Sequence, residues 1–80
     1  MDKRIARYIV AVSFRSMAPL QQMLPLLKEH CTQEEYQVYS RAIATVIAEI
    51  GLELNNKVFA SHPELKQEIE KDMEKYGRIL

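Results

Sequence analysis

Apolar residues recur along this chain at three- and four-residue spacing, and that helical period dominates over strand-like alternation. The clearest run is central. Tyr36, Tyr39, Ile43, Val46, Ile47, Ile50, Leu54 and Val58 follow one another at helical intervals, and no proline interrupts the chain from Thr32 until Pro63. Thr32-Gln33-Glu34-Glu35 has the form of a capping box, a Thr that caps and a Glu three residues on that reaches back. The pattern predicts a helix over about 33–60, roughly 40 Å long at 1.5 Å per residue. Ala44, Ala48 and Gly51 form a row of small residues on an adjacent face, which would let another helix approach closely. Leu52 and Phe59 add apolar surface away from Leu54, and Glu49, Glu53 and Asn56 mark the expected solvent side.

The region before it, Lys3 to His30, carries two apolar stripes. Ile5, Tyr8, Ile9 and Val12 make one, and Val10, Phe14 and Met17 make another. A helix apolar on two sides is usually buried between two neighbours. Asp2 is its expected N-cap. Pro19 fits a first turn but disrupts an interior, so a break near Ser16–Ala18 is expected, giving helices over about 3–17 and 19–30. The second of these carries Leu20, Met23, Leu24 and Leu27, with Pro25 set to kink or shorten it. The last region opens at Ser61-His62-Pro63-Glu64, a second S-x-x-E signature, and predicts a helix over about 63–76. Leu65, Ile69, Met73 and Tyr76 form its narrow stripe. Charged pairs such as Lys66–Glu70, Glu68–Lys71 and Glu74–Arg78 flank it. Gly77 reads as the C′ residue that ends it, before a short apolar tail of Ile79 and Leu80.

These elements predict an all-α fold, a helical hairpin plus a third C-terminal helix, in one domain over 1–80. Eighty residues bury only about 60% of their unfolded surface when a chain folds alone. Hydrophobic residues are 48% of the sequence, more than one hairpin and one narrow helix can hide. Apolar surface of that extent is uncommon on a soluble monomer. A homodimeric helical bundle is therefore expected, most simply two-fold symmetric, with the third helix able to reach across to its partner.

Charge narrows the function. Eleven basic and eleven acidic residues balance, so nucleic acid is not an expected partner. The polarity is local: residues 1–30 hold five bases and two acids. Cys31 is the lone cysteine, which fits a reducing compartment, and the cytoplasm is the expected location. Neither Ile9–Val12 nor Ala42–Ala48 approaches the roughly 20 residues of a membrane span. Arg7 and Arg15 spoil a signal-peptide reading of the N-terminus. An organelle transit peptide, suggested by the absence of acids over 3–28, conflicts with the need for these residues in the core.

Four groups of residues carry candidate chemistry. Lys3, Arg4, Arg7 and Arg15 share one side of the first helix and could bind an anion. The simpler reading pairs them with acids of the other helices. Basic residues at a helix N-terminus oppose its dipole, a mild cost that hints at some second role. His30-Cys31 and His62 supply zinc-type ligands, but without ligand-pair spacing and at opposite ends of the central helix. Neither a metal site nor a Cys–His nucleophile is expected. The acid pairs Glu49/Glu53 and Glu70/Glu74 read as solvated faces; no Glu-x-x-His motif accompanies them. Tyr8, Tyr36 and Tyr39, with Met17, Met23 and Met73, read as core or interface packing. No P-loop, G-x-G-x-x-G, G-x-S-x-G or H-E-x-x-H occurs. The long helix after the hairpin bears four acids, unlike a DNA-recognition helix.

The expectation is a non-enzymatic protein-interaction or adaptor module without cofactor, acting as a helical homodimer toward another protein. Its contact residues are those left over from the core: Val10, Phe14 and Met17, with Leu52 and Phe59. The alternative is a small regulator that binds nucleic acid or another polyanion through the Arg stripe.

Overall fold

Asp2 opens α1 (Lys3–His30) by accepting the Arg4 backbone N–H at 2.7 Å. That bond, with the Arg4 guanidinium beside it, holds the Asp2 carboxyl below its ordinary value of 3.8. The computed structural model describes residues 1–79, and in it α1 runs unbroken for 28 residues through Pro19 and Pro25. The expected division near Ser16–Ala18 does not occur. Each proline orphans the carbonyl four residues earlier, on Arg15 and Gln21. All four of these residues are exposed, so water is at hand for the freed acceptors.

His30 and Cys31 end α1, and Thr32 starts the return. The capping box forms: Thr32 Oγ1 accepts from Glu35 N at 3.1 Å, and Glu35 Oε1 accepts from Thr32 N at 2.8 Å. These bonds lower the Glu35 carboxyl below its ordinary 4.5, chiefly through the Thr32 backbone N–H.

The central rod is helical throughout, but it is not one α-helix. α2 (Gln33–Glu49) gives way to a π-helical segment (Ile50–Asn55), which passes into α3 (Asn56–Ser61). Within it the Asn56 N–H reaches back five residues to Gly51 O. The wider turn re-phases the face that meets α1. Leu54, which a continuous α-helix would keep on the inward stripe, is 46% exposed. Asn55 turns inward instead, 5% exposed. Ser13 Oγ stands 2.5 Å from Asn55 Oδ1 and 2.8 Å from Val10 O, so one hydroxyl proton serves two acceptors.

His62 is a one-residue break at φ −133° and ψ 72°, out of the helical region that a following proline disfavours. Pro63 then begins α4 (Pro63–Tyr76). The second expected capping box is not made, because Ser61 is still the last residue of α3 and no side chain caps α4. Gly77 closes α4 in the left-handed conformation at φ 68°, its N–H bonded to Met73 O. Leu80 of the expected tail lies outside the described residues; Ile79 folds back onto the core.

That core occupies one half of the hairpin. Ala6, Val10, Val58, Leu65 and Ile69 are buried together, with Ile9, Phe59 and Ile79 packed against them. From residue 14 to residue 42 nothing is buried, so the other half is a bare pair of helices. The molecule is accordingly long, 45 × 25 × 16 Å. Its radius of gyration is 15.2 Å, against about 12 Å for a compact chain of this length.

Candidate functional surfaces

α4 docks on only one side of the hairpin, and that choice creates the surfaces. Leu65 and Ile69 bury themselves against Ala6 and Val10. The basic stripe fixes the placement: Lys3 Nζ donates to Glu68 Oε1 at 2.7 Å, and Arg7 donates to Glu68 and Asp72 of α4. Arg4 turns back to Asp2 at 3.3 Å, while Arg15 is exposed. Of the four candidate anion ligands, two therefore hold α4. Their charge is met within the chain, and the stripe is divided rather than gathered into one patch.

The five expected contact residues also separate. Val10 has no exposure at all and belongs to the chain's own core, not to an outer stripe. Phe59 is half-buried against that core, and Met17 is half-buried on α1. Phe14 is 39% exposed and lines a shallow groove between α1 and the end of α4, with Ala11, Ala18, Met73 and Ile79 as its apolar walls and Arg15 and Arg78 beside them. Leu52 is 56% exposed on the central rod. The small-residue row receives no helix: Ala44 and Ala48 are exposed, and the space around a Cβ on Gly51 is empty to 4 Å.

The opposite side of the hairpin is open. Tyr8, Ile9, Val12 and Ser16 of α1 meet Ile50 and Leu54 of the central rod along a second apolar groove. Tyr8 is 62% exposed, and Val12 and Leu54 are also exposed. The sequence pattern marks these residues as core, which is why they escape a search for leftover surface. Their apolar spacing was legible; that α4 covers the other stripe was not.

His62 Nε2 lies 3.1 Å from Met1 O at the α1 N-terminus, while His30 and Cys31 sit at the far end of the hairpin. Among the described residues no group of His, Cys, Asp or Glu is placed to hold a metal ion. Among them, too, no helix is long and apolar enough to cross a membrane. Comparison with family models, characterised proteins and solved structures returns no match.

Proposed function

We propose that this chain is a non-enzymatic interaction module of the cytoplasm, a helical homodimer that presents an apolar groove to a helix of another protein. The observation that carries this reading is the balance of its large hydrophobics. Fourteen are exposed among the described residues, while the buried core holds six hydrophobic residues. Exposed apolar surface of this extent marks interaction sites on soluble proteins. With one side taken by self-association, the groove around Phe14 is left for the partner. It suits helix-in-groove binding, in which anchors at i, i+3, i+4 and i+7 enter an apolar cleft.

The test is affinity capture from nuclease-treated lysate of the source cells, wild type beside Phe14→Asp, with circular dichroism of both. A protein retained at stoichiometric level by the wild type and lost from a folded Phe14→Asp supports the reading. A folded Phe14→Asp with an unchanged set of bound proteins and unchanged mass refutes it.

A further inference from the structure

The homodimer of the preceding reading has a definite geometry. We infer that two copies pack through the open face opposite α4, about a two-fold axis running parallel to the helices, so that each α1 lies on the partner's central rod.

The open face is continuous. On α1 the positions Ile5, Tyr8, Val12, Ser16, Pro19 and Met23 recur at three- and four-residue steps and carry no charge. At 100° per residue, Lys3 and Arg7, which hold α4, lie roughly 140–180° around the helix from Val12. Across the hairpin, Tyr39 and Val46 are one heptad apart, and the π-helical segment brings Leu54 beside Ile50 in the same groove as Val12. Tyr39, Val46 and Leu54 are each about half exposed: 54%, 48% and 46%.

The surface in excess is the amount a dimer uses. The chain exposes 6099 Å². A compact monomer of 9.3 kDa exposes about 5,000 Å². The surplus, about 1,000 Å², compares with the roughly 800 Å² per partner that a standard stable interface removes. A second copy is thus an occupant of the right size.

Charge at the rims selects the axis. Arg15 stands three residues past Val12 and Glu49 three past Val46, and since the helices are antiparallel each points to its own outer edge. Arg4, itself paired with Asp2 at 3.3 Å, lies on the basic edge, and Glu53, which accepts from Lys57 at 2.9 Å, lies on the acidic one, so the unshared contrast is carried by Arg15 and Glu49. An axis across the helices would lay α1 on the partner's α1 and set Arg15 edge against Arg15 edge. An axis along the helices sets each basic edge against the partner's acidic edge. The heights agree. Ser13 meets Asn55 across the hairpin, so two residues further along each antiparallel path Arg15 is level with Glu53. Opposite charges at a rim fix register and suppress the wrong arrangement more than they add affinity.

Sedimentation equilibrium gives the mass, and disulfide trapping gives the axis. The wild type is expected at twice 9.3 kDa. Val12→Glu and Val46→Glu each bury an unpaired carboxylate and should raise the dimer dissociation constant roughly 100-fold or more while helicity persists. Leu52→Glu, off this face, should leave the mass unchanged. In a Cys31→Ser background, Arg15→Cys with Glu53→Cys should oxidise to covalent dimer, and Arg15→Cys alone should not. A wild-type dimer that survives both Val12→Glu and Val46→Glu, or that is trapped by Arg15→Cys alone, overturns this geometry and leaves the homodimer reading standing. A wild type at 9.3 kDa overturns both.

Discussion

The buried Ser13–Asn55 pair is the sharpest probe of how the rod fits against α1. Ser13 is 3% exposed and Asn55 5%, and the Asn55 amide is turned inward by the π-helical segment. Ser13→Ala removes the hydroxyl 2.5 Å from Asn55 Oδ1 and leaves a buried amide oxygen without its partner. Stranding such a group costs about 1–3 kcal/mol, whereas replacing both partners by apolar groups of similar shape is nearly neutral. Taking about 2 kcal/mol, and roughly 6 °C per kcal/mol for a domain of this size, Ser13→Ala should lower Tm by about 12 °C. Ser13→Ala combined with Asn55→Leu should recover most of that loss. The assay is thermal unfolding by circular dichroism at fixed protein concentration for wild type, both single variants and the double. Additive effects, or a Ser13→Ala variant that melts within about 2 °C of wild type, would refute an inward Asn55. The rod would then be a regular α-helix with Leu54 in Asn55's place.

Three further outcomes follow from the same packing. Leu65→Ala truncates a side chain with no exposure and should cost about 2–5 kcal/mol. Denaturant unfolding measures it, and a cost below about 1 kcal/mol would mean α4 is not docked as described. Thr32→Ala should cost about 1 kcal/mol through loss of the cap. Glu35 adds a pH dependence to the same turn. Its carboxyl is lowered in the folded state, so its stabilisation is present above the ordinary value of 4.5 and is lost as pH falls through the lowered folded value. Tm profiles between pH 7 and pH 2 should be flatter for Glu35→Gln, and an unchanged profile would contradict that assignment. Pro25→Ala restores an N–H to the Gln21 carbonyl at an exposed position and should raise helicity and Tm; a lower Tm would show that α1 depends on the proline.

What was legible in the sequence is local. Thr32 and Glu35 lie three residues apart, so their capping box is decided within one turn and forms as the spacing predicts. Gly77 ends α4 because only a residue without Cβ takes a positive φ cheaply. The extent of α4 and the rod's helicity likewise follow from neighbouring residues. The proline rule misled at Pro19, because the cost of an interior proline falls when its orphaned carbonyl faces water. Whether it does depends on which side of α1 is covered.

That covering is what only the tertiary structure decided. Two stripes on α1 are nearly equal in apolar content, and periodicity cannot say which one α4 will take. Glu68 and Asp72 settle it from across the chain by meeting Lys3 and Arg7, more than sixty residues away in sequence. Val10 is thereby buried and Val12 left exposed. The π-helical turn that exchanges Leu54 for Asn55 has the same origin. Local propensity sees an apolar Leu at helical spacing, whereas packing against α1 supplies Ser13 as the partner that makes an inward amide tolerable. Short-range bonding chooses the helices; which faces meet is a contest between distant surfaces.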